Sequence, residues 1–378
     1  MSKWKRRALG EVADLSLGKM LDDKKNRGEP LPYLANINVR WGELDLANLR
    51  AMRFEPGELT RFGLRYGDIV MCEGGEPGRC AIWKDSVPGM MFQKAIHRIR
   101  PFDCIDYRFL FYRFLYVGRN GGFAPLFTGA TIKHLPLQSL AKLEVCFPSR
   151  AEQERISDLL CSYDDLIKNN GRRMALLEES ARLLYREWFV RLRFPGYEHT
   201  RVVDGVPAGW MRLPLEDALV LQRGFDLPTQ ERQDGDIPIY GSTGVVGYHN
   251  QAKVSAPGIV TGRSGTLGKV HYVAEDHWPL NTALWVKEFK RVTPLFALHL
   301  LREMDLKQYN GGASVPTLDR KSAHRVKVLI PSKPMLRAFD DFCVDVFAQI
   351  KNLDAQNQKL HAARDLLLPK LMSGELIA

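Results

Sequence analysis

The sequence predicts an α+β protein built as a tandem repeat, two mixed α/β blocks each followed by a long helix. Three observations carry that prediction. Matches between the halves recur in one order along the chain. The repeated blocks consist of short apolar runs broken by Gly, Pro, Asn and Asp. After each block an apolar stripe continues at helical spacing, from Ile156 to Trp188 in the first copy. A chain of 378 residues is also longer than one ordinary domain.

The repeat is read from matched residues. Trp4, Gly18 and Pro32-Tyr33-Leu34 match Trp210, Gly224 and Pro238-Ile239-Tyr240 at an offset of 206. At an offset of 190, Asp68-Ile69-Val70 and Gly75-x-x-Gly78-Arg79 match Gly258-Ile259-Val260 and Gly265-x-x-Gly268-Lys269. At 183, Gly129-Ala130-Thr131-Ile132 matches Gly312-Ala313-Ser314-Val315, and Phe147-Pro148-Ser149 matches Ile330-Pro331-Ser332. The offset only shrinks, so the first copy carries longer loops. The divisions expected are 1–148 and 193–332 for the two blocks, and 149–192 and 333–378 for the helices.

Within the blocks, Gly67-Asp68-Ile69-Val70-Met71 and Val326-Lys327-Val328-Leu329-Ile330 read as strands of a mixed or antiparallel sheet. Tyr107–Val117 and Pro294–Met304 read as helices. Ser149-x-x-Glu152 is a capping-box signature that opens the first long helix. Its stripe is Ile156, Leu160, Tyr163, Ile167, Asn170, Met174, Leu177, Ala181, Leu184 and Trp188. Adding 183 gives Phe339, Cys343, Val346, Ile350, Leu353, Asn357, Leu360, Arg364, Leu367 and Leu371. Two such stripes are expected to form a coiled coil. The alternative is that each packs only on its own block. Asn170 and Asn357 either fix the register of the pair or face solvent.

The composition excludes several classes. Hydrophobic residues at 45% and charged residues at 26% suit a folded protein with sizeable cores. No window approaches a membrane span, and no signal-peptide core follows the basic start, so a cytoplasmic protein is expected. The six cysteines are scattered and read as buried thiols; with no histidine at ligand spacing, no metal site is expected. The net charge of +10 divides as +7 for 1–149, zero for 150–191, +3 for 192–332 and zero for 333–378. The excess therefore sits on the two blocks and points to an acidic partner such as nucleic acid.

Catalytic motifs are missing. Gly262-Arg263-Ser264-Gly265-Thr266-Leu267-Gly268-Lys269 has the look of a phosphate loop, but five residues separate Gly262 from Gly268 where four are needed, and Val270 replaces the Mg²⁺-binding hydroxyl. Its other copy, Glu73-Gly74-Gly75-Glu76-Pro77-Gly78-Arg79, carries two acids. An enzyme binding a nucleotide or phosphorylated substrate through Gly262–Lys269 is the second reading, against a tight turn between strands. There is no Asn/Asp-Pro-Pro-aromatic, H-E-x-x-H, G-x-S-x-G or zinc-deaminase pattern. His97, His134, His271 and His324 are scattered and read as structural or surface residues. What remains is two basic, loop-rich blocks on a spacer about 50 Å long, enough to hold two readers about one and a half DNA turns apart. A coiled-coil scaffold without a DNA role would disperse the basic excess over the surface.

The helical segments carry a resemblance. Arg182-Leu183-Leu184-Tyr185-Arg186-Glu187-Trp188-Phe189-Val190, then Phe194-Pro195-Gly196 and Gly205-Val206-Pro207-x-Gly209-Trp210, resemble the central region of type I restriction–modification specificity subunits. Leu366-Leu367-Leu368-Pro369-Lys370-Leu371-Met372-Ser373-Gly374-Glu375-Leu376 resembles their C-terminal region. The resemblance implies two target recognition domains with a pseudo-twofold repeat, joined by an antiparallel helix pair and reading a bipartite, asymmetric site in double-stranded DNA. It implies a non-catalytic chain with no cofactor of its own. The implied partners are an adenine-N6 methyltransferase subunit in two copies and a restriction/translocase subunit, which would hold S-adenosylmethionine, ATP and Mg²⁺. Ser2-Lys3-Trp4 lacks the Gly-x-Pro lead-in found before Trp210, so an abbreviated N-terminal joint is expected.

Candidate DNA contacts are polar residues of the repeated loops. In the first block these are Lys19, Arg79, Thr128, Lys133 and His134. In the second they are Arg223, Thr243, Arg263, Lys269, Thr317, Arg320 and Lys321.

Overall fold

The structure is a computed structural model that describes residues 4–20, 22 and 26–376. Ser2 and Lys3 of the expected N-terminal joint lie outside the described residues. The chain divides into two compact units, Met1–Asn169 with Gln356–Ala378, and Asn170–Ala355. Both cuts fall inside the long helices.

In the first unit the strands are β1 (Lys5–Ala8), β2 (Ala13–Leu17), β3 (Glu29–Leu34), β4 (Arg50–Phe54), β5 (Ile69–Cys72), β6 (Cys80–Ile82), β7 (Met91–Phe92), β8 (Ile96–Pro101) and β9 (Glu144–Phe147). They form a four-stranded sheet β2-β8-β5-β6, a three-stranded sheet β4-β3-β7 and the pair β1-β9. All neighbours are antiparallel except β3 with β7. β5 shows why an unbroken apolar run was needed. Successive side chains of a strand point to opposite faces. Ile69 and Met71 enter the core under the helix Tyr107–Arg119, while Val70 and Cys72 enter the core against the smaller sheet. Asp106 caps that helix, accepting the amides of Arg108 at 2.9 Å and Phe109 at 3.0 Å, and the hydroxyl of Ser157 on the first long helix at 3.1 Å.

In the second unit a hairpin of β10 (Val202–Val203) and β11 (Val206–Pro207) precedes β12 (Met211–Pro214), β13 (Leu219–Arg223), β14 (Ile237–Gly241), β15 (Gly244–His249), β16 (Gly258–Gly262), β17 (Val270–Val273), β18 (Trp278–Pro279), β19 (Ala283–Phe289) and β20 (Lys327–Ile330). The strand orders β13-β19-β16-β17 and β15-β14-β18, with β12 on β20, reproduce those of the first unit. The one parallel contact recurs as β14 with β18. The repeat therefore extends to register. A Cβ on Gly18 would lie 2.3 Å from the Gln93 carbonyl oxygen, and one on Gly224 would lie 2.2 Å from that of Leu280. Both glycines let one backbone pass against another, which no larger residue allows.

The first long helix runs over Arg150–Tyr185 and ends in a π-helical turn, Arg186–Val190; the second runs over Lys333–Ser373. In the first unit Ile156 and Leu160 share a core with Leu367, Leu368, Leu371 and Met372. Arg364 pairs with Asp164 at 2.6 Å, and the Asn357 amide donates to the Ile167 carbonyl at 3.2 Å. One sequence rises as the other falls, so the helices are antiparallel. Asn170 and Asn357 are buried rather than turned to solvent. In the second unit Ala181, Tyr185 and Phe189 share a core with Leu336, Phe339, Cys343 and Val346, with Leu177, Leu184, Trp188 and Ile350 half-buried at its edge. Tyr163, Ile167, Met174, Leu353 and Leu360 are shielded from solvent but belong to neither block's core. The alternative, that each stripe packs only on its own block, does not hold, because the two ends of each helix enter the cores of different blocks. The ends of each stripe complete the blocks, and its middle is left for helix against helix.

One buried titratable group marks the second unit's core. His299, on the helix Pro294–Glu303, stacks on Tyr185 at 5.6 Å and meets the edge of Phe339 at 5.7 Å. Neither ring nitrogen has a hydrogen-bond partner among the described residues. Burial, reinforced by the nearby Arg302, pushes its pKa down to about 3. The neutral ring is therefore the folded form, and the unfolded chain binds the extra proton between the two pKa values. Stability of this unit should fall as pH drops below about 6.5 and keep falling toward the folded value. His299→Phe should remove one proton's share of that slope in urea denaturation followed from pH 7 to pH 4. An unchanged slope would show that His299 is already solvated.

Candidate nucleic-acid interface

In each unit two loops meet beside the four-stranded sheet. In the first, loop 73–79 joins β5 to β6. Loop 128–134 closes on itself, the Thr128 amide donating to the His134 carbonyl at 2.8 Å and the reverse bond spanning 2.9 Å. The loops are stitched by the Leu135 amide to the Glu73 carbonyl at 2.8 Å and by a bridge between Gly74 and His134. In the second unit, loop 263–269 joins β16 to β17, and the Gly311 amide donates to the Thr317 carbonyl at 2.8 Å. The stitch recurs as the Leu318 amide to the Arg263 carbonyl at 2.8 Å and a bridge between Ser264 and Thr317. All but the reverse bond map onto a counterpart by the offsets 190 and 183; in the second unit the Thr317 amide donates instead to the Asn310 side chain at 2.9 Å. The same scaffold thus presents different side chains: Glu73 against Arg263, Lys133 against Pro316, His134 against Thr317.

The structure gathers most of the candidate residues around these loops. Thr128, Lys133 and His134 are exposed on one loop. Arg79 is mostly buried, donating to the Asn36 carbonyl at 2.9 Å and paired with Glu76 at 2.9 Å, so it braces the neighbouring loop. In the second unit Arg223 pairs with Asp226 at 2.9 Å, Asp226 accepts from Asn281, and the Asn281 carbonyl accepts from Arg263 at 3.0 Å. Thr243 is exposed at the β14–β15 turn, and Lys269 is exposed at the start of β17. Thr317 is half-buried in the stitch. Arg320 reaches the Leu221 carbonyl at 3.3 Å, and Lys321 is exposed beside it on a short helix capped by Asp319.

Lys19 departs from the expectation of a DNA-facing cation. Its ammonium is buried over the Phe54 ring, 2.5 Å from Glu58 and 2.9 Å from the Arg53 carbonyl. Burial alone would raise the Glu58 pKa; the hydrogen bonds from Lys19 and the Glu55 amide, with the charges of Lys19 and Arg61, together hold that carboxyl low. The counterpart of Lys19 at offset 206 is Phe225, and both take the same parallel bridge, to Gln93 and to Leu280. The position points inward in both copies. Sequence reading also passed over Asn36, Asn281 and Thr282, whose backbone carbonyls brace the loops. Single small polar residues in loops give no periodic signal.

Comparison with known proteins adds to this geometry. Residues 1–179 match the family described as the type I restriction modification DNA specificity domain. The type I restriction enzyme MjaIX specificity subunit of Methanocaldococcus jannaschii is 24% identical over 99% of this chain and 96% of its own length. The HindI specificity subunit of Haemophilus influenzae is 20% identical over 65% of this chain and 72% of its own. The crystal structure of the type I system S subunit from M. genitalium aligns with a TM-score of 0.62 at 19% identity, covering 98% of this chain and 96% of that one. Residues 1–179 thus match the type I restriction modification DNA specificity domain, and the whole length of the chain is similar to a type I specificity subunit.

Specificity subunits of type I systems are non-catalytic DNA-recognition subunits. The loop that most resembles a nucleotide site differs from one in its geometry. Loop 263–269 leads from β16 into its antiparallel neighbour β17. A phosphate loop instead opens a helix whose free amides and dipole face the anion. Among the described residues no group of His, Cys, Asp or Glu could hold a metal ion. No helix of the described residues is long and apolar enough to cross a membrane. Titration calorimetry of the chain with ATP should show no heat of binding. ATP binding that Lys269→Ala abolishes would restore the nucleotide reading.

Proposed function

We propose that this chain is a type I specificity subunit that reads a bipartite, asymmetric site in double-stranded DNA, one half-site per block. We infer further that its helix pair sets the gap between the halves. An adenine-N6 methyltransferase subunit in two copies and a restriction/translocase subunit dock on it and hold S-adenosylmethionine, ATP and Mg²⁺. The observation that carries the reading is the stitched pair of loops, whose stitching bonds recur in both units with different side chains. A fixed scaffold that varies its exposed polar groups is what reading two unlike half-sites requires. The charge division supports it. The +7 and +3 of the blocks suit phosphate contact, and the neutral helices suit protein partners.

Two experiments test it on the assembly with the methyltransferase subunit. Binding to one bipartite sequence should exceed binding to random DNA by at least about a thousandfold and weaken steeply with salt. Lys133→Ala should lower the salt slope by about one phosphate contact, whereas Lys19→Met should leave it unchanged. Salt-independent binding, or equal slopes for the two variants, would contradict the reading.

The spacer gives a second measurement. Removing one matched heptad from both helices, between Tyr163 and Met174 and opposite it, shortens the pair by about 10 Å. The preferred gap should shrink by about three base pairs. An unchanged gap would mean that the helices do not set the distance.

A further inference from the structure

One motif of the repeat is not absorbed by the reading of unlike half-sites: Gly129-Ala130-Thr131-Ile132 and its counterpart Gly312-Ala313-Ser314-Val315. Both copies form the tip of the self-closed loop. A Cβ on Gly129 would lie 2.2 Å from the Ile132 carbonyl oxygen, and one on Gly312 would lie 2.1 Å from that of Val315. The chain therefore turns back tightly at the same point in both units. At the end of that turn stands a β-branched apolar side chain open to solvent, Ile132 at 66% exposure and Val315 at 54%. An apolar group held out on a tight turn gains nothing for the fold.

The surroundings decide what it meets. Flanking positions differ between the copies, with Lys133 and His134 in one and Pro316 and Thr317 in the other, while the tip keeps a small residue, a hydroxyl and a β-branched side chain. Side chains that differ can encode different bases; side chains that stay alike serve a task common to both halves. The cations at these loops, Lys133 next to Ile132 in the first unit and Arg263, whose carbonyl is stitched to Leu318, in the second, favour DNA over an apolar protein surface. We propose that Ile132 and Val315 are positioning residues that make an apolar, sequence-independent contact in a DNA groove, one in each half-site. Aliphatic side chains serve this way where proteins press into the groove between base steps. The inference rests on the DNA-reading function proposed above.

The test uses Ile132→Ser and Val315→Ser in the assembly with the methyltransferase subunit. Both sites are exposed tips, so folding is undisturbed, which the unfolding transition checks. Each substitution should weaken binding to cognate and random DNA alike by about tenfold. The salt slope should stay unchanged, because no counterion is released by an apolar contact, and the methylated motif should stay the same. Unchanged affinity would overturn the proposal, as would a loss confined to one base position, which marks base reading. Loss of the methyltransferase subunit at unchanged DNA affinity would overturn it in favour of a protein contact. If the unsubstituted assembly itself shows no salt-dependent sequence preference, the DNA-reading function fails first and this inference with it.

Discussion

The fold depends on burying apolar side chains that the two long helices carry into blocks remote from them in sequence. The first block's core includes Leu368, Leu371 and Met372 from the end of the second helix, beside Ile156 and Leu160 from the start of the first. The second block's core includes Tyr185 and Phe189 from the end of the first helix, beside Phe339 and Cys343 from the start of the second. Each buried Leu or Phe is worth roughly 1.5–3 kcal/mol, so neither core closes well without both helices. That requirement fixes the antiparallel direction seen between Asp164 and Arg364 and between Ile167 and Asn357. It also explains why the compact units divide within the helices rather than at their ends.

Function then falls to what the cores leave outside. The sheets hold the loops through backbone bonds, Leu135 to Glu73 and Leu318 to Arg263, and backbone bonds do not depend on side-chain identity. Side chains at 73, 133 and 134 are free to differ from those at 263, 316 and 317 without disturbing the scaffold. A rigid frame with interchangeable exposed groups allows one fold to recognise unlike sequences. Where a side chain is instead drawn into the frame, as Lys19 is by Glu58 and Phe54, its charge is taken up within the fold.

Much of this was legible in the sequence. The repeat is written in glycines whose Cβ would collide with backbone, Gly18 and Gly224 among them, so geometry left a mark in residue type. The helix stripe was legible because burial recurs with the helical period: every stripe position is buried or half-buried. What periodicity could not show is which part of the stripe faces a block and which faces a helix, since both demand the same residues. Nor could a charge count show the direction of a side chain. Lys19 and Lys133 look alike in sequence, and only the parallel bridge that Lys19 shares with Phe225 reveals that its position points inward. The loop stitch joins residues far apart in the chain, and no local pattern encodes it.

The proposed function requires this one chain to dictate where DNA is modified. Methylome sequencing of cells carrying and lacking the chain measures that directly. An adenine-methylated motif of two unlike halves around a fixed gap should be present with the chain and lost without it. An unchanged methylome, or dependence of a continuous palindromic motif on the chain, would contradict it.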